Sequence, residues 1–176
     1  MAFKKLKKYD RIKPRMDSMN EECGVFGVYK NDDFIEAADA VFFGLYALQH
    51  RGQESAGIAI SRNGRIDYYK DMGLVAEVFK GDRMEEFYGA KIAVGHVLYS
   101  TTGRSAVTNA QPLVVSYKSG TLALTHNGNL INASGLRTEL EEDGAIFQTT
   151  IDTEVIANLI ARQANEGIIE SIIKTM

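Results

Sequence analysis

One cysteine in 176 residues rules out an internal disulfide, and with it a fold that depends on disulfide staples. That shortage fits a reducing compartment, and a cytoplasmic location is expected. No apolar run approaches the length of a membrane span, and no apolar stretch near the start resembles a signal-peptide core. The sequon Asn132-Ala133-Ser134 therefore reads as accidental. Basic excess is also missing, since the formal net charge is -3, so nucleic acid is not an expected partner. The glycine-rich segments lack the P-loop pattern, and His50, His96 and His126 have no metal-ligand spacing. There is no internal repeat. What remains is ordinary for a globular protein: 45% apolar and 24% charged residues, enough for one domain with a real core.

The lone cysteine, Cys23, sits at a change in composition. The first twenty-two residues carry Lys4, Lys5, Lys7, Lys8, Arg11, Lys13 and Arg15, with Pro14 against a long helix. Residues 1–22 read as a basic solvated leader or a propeptide, and residues 23–176 as the folded domain. A cut after Glu22 would give one residue both a thiol and a free α-amine. The amine has a reference pKa of roughly 7.7–8.0, which suits a base working near neutrality.

The pattern predicts a strand over Cys23–Tyr29. A helix follows, with Ala37, Val41, Leu45 and Leu48 at helical spacing up to His50. Two strand-like runs, 57–61 and 66–69, flank Asn63-Gly64, a strong hairpin signal because both turn residues need positive φ. Further strands are expected at 91–97 and 121–125. A helix begins near Ser134 with Leu136 and Leu140 inward. A last helix runs from Thr153 with Val155, Ile156, Leu159 and Ile160 inward. This order fits α+β rather than alternating βαβ.

Several segments place polar groups and glycines at strand or helix ends, where catalytic groups often sit. These are Leu48-Gln49-His50-Arg51-Gly52-Gln53-Glu54-Ser55-Ala56-Gly57, Gly95-His96-Val97 running into Tyr99-Ser100-Thr101, and His126-Asn127-Gly128-Asn129. Taken alone, Cys23 could be a small buried hydrophobe, Asn127-Gly128 a plain turn, Asp152 a helix cap and Arg51 a surface charge.

Together with Glu21-Glu22-Cys23-Gly24-Val25-Phe26-Gly27 and Asp152-Thr153-Glu154, these motifs occur in an order that closely resembles the glutaminase domain of the amidophosphoribosyltransferases. That family belongs to the class II glutamine amidotransferases. The resemblance runs from Asn20 to about Ala161 and implies the N-terminal nucleophile hydrolase fold, a sandwich layered α, β, β, α. It implies that Cys23 attacks the glutamine amide, that Asn127 and the Gly128 N–H form the oxyanion hole, and that Asp152 binds the α-ammonium. It places Thr101 in the loop closing over glutamine and Arg51 beside the nucleophile. The implied activity is glutamine hydrolysis, supplying ammonia for 5-phosphoribosylamine in purine synthesis.

Two departures are visible. The family pattern His-Val-Arg-Tyr here reads His96-Val97-Leu98-Tyr99, so the arginine that grips the glutamine α-carboxylate is absent, with Arg104 a candidate to reach in. Ile151 stands where a serine usually precedes the aspartate. The resemblance also implies further strands and a phosphoribosyltransferase domain, so this chain reads as truncated before the last strands of its domain. An exposed apolar patch is then expected. The missing domain or a full-length paralogue is the expected partner, in a family of homo-oligomers. No cofactor is expected in this chain, although the resemblance implies that full-length members can hold Mg and that a [4Fe–4S] cluster is common in the propeptide-bearing branch. The alternatives are an inactive or regulatory remnant, or another class II enzyme such as glucosamine-6-phosphate synthase.

Overall fold

A computed structural model describes residues 23–31, 34–99 and 106–176. The leader, Thr101 and Arg104 lie outside those residues.

Four antiparallel strands form the first sheet: β1 (Gly24–Tyr29), β2 (Ser55–Arg62), β3 (Arg65–Met72) and β4 (Ile92–Leu98), in the order β1-β4-β2-β3. The β2–β3 turn is the expected Asn63-Gly64, with φ of 52° and 75°. Helix α1 (Ala37–Ala47) packs on one face of this sheet. Ala37, Ala38, Val41 and Leu45 meet Ala56, Ile58 and Ile60 of β2 and Ala93 and Val97 of β4. Full burial of side chains such as Leu45 and Ile58 contributes about 1.5–3 kcal/mol each. The short helix α2 (Val75–Val78) closes the same core through Val75 and Val78.

Strand alternation fixes what the other face presents. Gly95 turns its bare Cα to Val41 and Leu45, so Val94, His96 and Leu98 face the opposite way. There lies a second sheet, β5 (Leu113–Tyr117) and β6 (Gly120–Leu124). Beyond it are α3 (Ala133–Glu142), α4 (Thr153–Arg162) and α5 (Ile168–Thr175), with α4 against both β5 and β6. The layers are therefore α, β, β, α, as expected.

Two elements depart from the sequence reading. Strand β5 was not expected. Its run Leu113-Val114-Val115 follows Pro112, which cannot donate to a ladder and marks the strand's start. Helix α4 is not the last, because α5 folds back on it after Gly167, and the Ser171 hydroxyl donates to the carbonyls of Gln163 and Gly167. On α4, Val155 and Ile160 are buried as expected, while Ile156 and Leu159 are only half-buried. An apolar ridge is exposed along α5: Ile169 and Ile173 are each about two-thirds accessible. Among the described residues no helix is long and apolar enough to cross a membrane.

Candidate functional site

Cys23 lies just before β1, where Gly24 pairs with Val97 of β4. The thiol reaches the end of β4, with Sγ 3.5 Å from both the N and O of Tyr99. Two side chains converge on the Cys23 carbonyl. Arg51 donates from Nε at 3.2 Å, and Asn127, 104 residues away in sequence, donates from Nδ2 at 2.6 Å. Arg51 sits on a short 3-10 turn, 49–51, which Gln49 ties to α2 by accepting from Val75 N. Burial pushes the Cys23 thiol up from its ordinary value. The Tyr99 backbone contact and Arg51 oppose that rise, and Glu54 adds to it. A thiol held in this way, with its nitrogen in a peptide bond to Glu22, is a poor nucleophile near neutrality.

Asn127 and Gly128 follow β6 in an exposed loop. A Cβ at Gly128 would stand 2.8 Å from His126 Nε2, so a side chain there would need the imidazole to shift. The bare backbone leaves the Gly128 N–H approachable. The His126 main chain is held from several sides. Its N–H donates to Gln111 Oε1 at 2.7 Å, and its carbonyl accepts from Gln111 Nε2 and from His96 Nε2, each at 3.2 Å.

Asp152 occupies the first position before α4, yet its carboxylate makes no capping bond to that helix. It accepts instead from Leu130 N at 2.7 Å. His126 Nδ1 stands 3.5 Å from the other oxygen, within ion-pair reach but without hydrogen-bond geometry. The alternative reading of Asp152 as a side-chain helix cap is not met, and the carboxylate bonds instead to the chain just after Asn127-Gly128. The first turn of α4 is organised by Glu154. This buried carboxylate accepts from Gln148 N, Thr149 N and Thr149 Oγ1 at 2.6–2.9 Å. Three donors satisfy the buried charge and pin the segment that delivers Asp152.

The structure thus brings Cys23, Arg51, Asn127, Gly128 and Asp152 to one end of the sandwich; Thr101 is not among the described residues. An open depression lined by Arg62, Asp67, Tyr68 and Phe87 lies at the far end of the β2–β3 hairpin, away from Cys23. The sequence reading missed Gln111, Asn109, Glu154 and the Tyr99 backbone as contributors. A legible signal for the first two was two amide side chains flanking Ala110 just before a proline.

Leu98 shares with His96 the face turned to the second sheet and pairs with Ser55 across β2–β4. The Ser55 hydroxyl is buried and makes no hydrogen bond, as is true of His96 Nδ1. A [4Fe–4S] cluster needs about four cysteine ligands. This chain has one cysteine, and among the described residues no three His, Cys, Asp or Glu side chains gather to hold a metal ion. One cysteine cannot supply the thiolates of such a cluster.

His96 also gives a stability prediction. Burial is the main cause that lowers its pKa to about 4, partly offset by its bond to the His126 carbonyl. Above pH about 6.5 the ring is neutral in both folded and unfolded chains. As pH falls towards about 4, the unfolded chain takes up a proton that the fold refuses, so stability is lost across that window. Between pH 7 and pH 5 the loss is about 2 kcal/mol, readable as a lower urea midpoint. His96→Asn, which keeps a donor for His126, is expected to remove most of that drop. An undiminished drop would show that other groups cause it.

Residues 100–173 match the model of the glutamine amidotransferase domain. The chain is similar to the amidophosphoribosyltransferase of Methanocaldococcus jannaschii, with 50% identity over 80% of this chain and 30% of that protein. The Synechocystis enzyme is also 50% identical, over 86% of this chain and 30% of its own length. Among solved structures, a glutamine phosphoribosylpyrophosphate amidotransferase from Bacillus subtilis, complexed with ADP and GMP, superposes with a TM-score of 0.76 at 41% identity. It covers 86% of this chain and 32% of that one. A structure described as the allosteric regulatory enzyme of purine biosynthesis gives 0.78 at 42% identity, over 86% of this chain and 32% of that one. The chain thus spans about 30% of the length of the curated relatives it matches.

Proposed function

Since this chain is homologous to the glutamine amidotransferase region of the amidophosphoribosyltransferases, we propose that it hydrolyses the side-chain amide of glutamine at Cys23. Removal of residues 1–22 frees the Cys23 α-amine. That amine takes the thiol proton as sulfur attacks the amide carbon. Asn127 Nδ2 and the Gly128 N–H stabilise the oxygen as it gains negative charge. Collapse breaks the C–N bond, the amine returns the proton to nitrogen, and ammonia leaves a glutamyl thioester. Water then attacks the thioester, giving glutamate and the free thiol.

Asp152 faces the substrate's α-ammonium, while Arg51 holds the Cys23 carbonyl and so orients the nucleophile. In a longer protein of the relatives' kind, the ammonia would pass to a phosphoribosyl acceptor, giving 5-phosphoribosylamine for purine synthesis. The observation that supports this reading best is the 2.6 Å contact in which Asn127 Nδ2 donates to the Cys23 carbonyl, a side-chain amide next to the proposed nucleophile.

Leu98 favours a second reading, a regulatory chain with impaired glutamine binding. One experiment separates the two. Purified chain is weighed by intact mass, then incubated with glutamine while glutamate and ammonia are assayed. Loss of residues 1–22 with equimolar glutamate and ammonia is expected. A chain that keeps Met1 and releases neither product would overturn the enzymatic reading.

A further inference from the structure

We propose that Asn109 and Gln111 are positioning residues, two amides on one short segment that hold the oxyanion loop and the Asp152 loop in register with each other. This inference rests on the proposed glutaminase reading and deepens it.

The segment Asn109-Ala110-Gln111-Pro112 runs between the two sheets. Gln111 is 5% exposed, and its side chain closes a two-point amide pair with the His126 main chain, one residue before Asn127. Asn109 makes a second amide pair. Its Nδ2 donates to Thr150 Oγ1 at 3.0 Å, and its Oδ1 accepts from Thr150 N at 3.2 Å, two residues before Asp152. The segment itself is anchored to the first sheet. Lys70 Nζ donates to the carbonyls of Ala110 and Pro112 at 2.5 Å and 3.1 Å. Gly57 is bare where it passes beneath, since a Cβ there would collide with the Gln111 carbonyl and crowd Pro112. Gly57 pairs with His96, which supplies the second donor to the His126 carbonyl.

The geometry has a functional consequence. Asn127 acts on charge that develops at the reacting carbon, whereas Asp152 binds an ammonium present before and during reaction. A donor displaced by about 1 Å can cost on the order of 100-fold in rate. An interaction equal in ground and transition states changes KM instead. The two amides therefore have separable signatures. Loss of the Gln111 pair lowers kcat, and loss of the Asn109 pair raises KM.

The test uses the full chain, with its N-terminal state confirmed by intact mass. Gln111→Glu keeps the acceptor for His126 N–H but donates to the His126 carbonyl only when protonated. The groups that face position 111 or its segment are His96 on β4, Lys70 on β3 and His126 after β6, with Asp152 beyond His126. The kcat of Gln111→Glu relative to the unmodified chain should be down at least 30-fold at pH 8 and should recover as pH falls, an effect in line with about 1 Å of displacement. Asn109→Ala should raise KM about 10-fold with kcat within about 3-fold, as for loss of uniform binding. Equal changes in both constants for both variants, or a flat pH ratio for Gln111→Glu, would overturn the positioning role.

A readout independent of activity accompanies these assays. The Asn127 and Gly128 amide resonances should shift with pH in Gln111→Glu and stay in place in Asn109→Ala, where Leu130 should move instead. If the unmodified chain fails to hydrolyse glutamine, the glutaminase reading falls, while these resonances still decide whether the brace exists. Unmoved resonances would sink the brace.

Discussion

Cys23→Ala is expected to abolish the proposed glutamine hydrolysis and to leave the fold intact. The expected loss is on the order of 10⁴–10⁶-fold, the range seen when a hydrolase loses its nucleophile or one of its coupled partners. No second thiol can substitute, because the chain contains no other cysteine. The structural cost is small. The side chain is half-buried, and among the described residues its hydrogen bonds are two long ones to the Tyr99 backbone. Circular dichroism and the melting temperature should therefore change little. Intact mass adds a second expectation. If the thiol performs the cut after Glu22, the alanine chain retains residues 1–22. Measurable glutamate release by Cys23→Ala would place the chemistry elsewhere and remove the basis for the proposed mechanism.

Local rules made much of this molecule legible from its residues. The Asn63-Gly64 turn needed positive φ at two adjacent positions, and it sits where the pattern put it. Helix α1 carries its apolar stripe at helical spacing, and the stripe faces the sheet. The site was legible for a different reason: its motifs lie at element ends, where strands stop and polar loops start.

Long-range amide pairing was much harder to read. Nothing in the local pattern around Gln111 says that its side chain bonds to His126, because the two residues meet only once β5 and β6 pair and bring their outer ends together. Asp152 illustrates the same limit. An aspartate before a helix reads as a cap by propensity. Here its oxygen goes to Leu130 N, a group brought near by the loop that also carries Asn127 and Gly128. Tertiary pairing took precedence over the local option. Glu154 was hidden too, since a buried glutamate is uncommon and becomes tolerable only once three donors from 148 and 149 surround it.

Leu98→Arg is expected to lower KM for glutamine by tenfold to a few hundredfold, with kcat little changed. A guanidinium–carboxylate hydrogen bond contributes roughly 1.5–3 kcal/mol, which converts to about that range. The position suits the change. Leu98 ends β4 next to Tyr99, whose backbone touches the Cys23 thiol, so a side chain there starts close to the reacting end of the site. It is only half-buried, so a longer side chain has an open way out. Its neighbour across the β2–β4 ladder is Ser55, whose buried hydroxyl has no hydrogen-bond partner. Directly paired side chains in an antiparallel ladder have Cβ atoms about 4.5–5.5 Å apart, within reach of an arginine N–H. Arginine at 98 would thus satisfy an orphaned acceptor while presenting its remaining donors to the substrate carboxylate. A leucine does neither. Glutamate should compete with glutamine more strongly in the variant, because it carries the same α-carboxylate. If KM and product inhibition are both unchanged in Leu98→Arg, the carboxylate is held elsewhere and Leu98 is no defect.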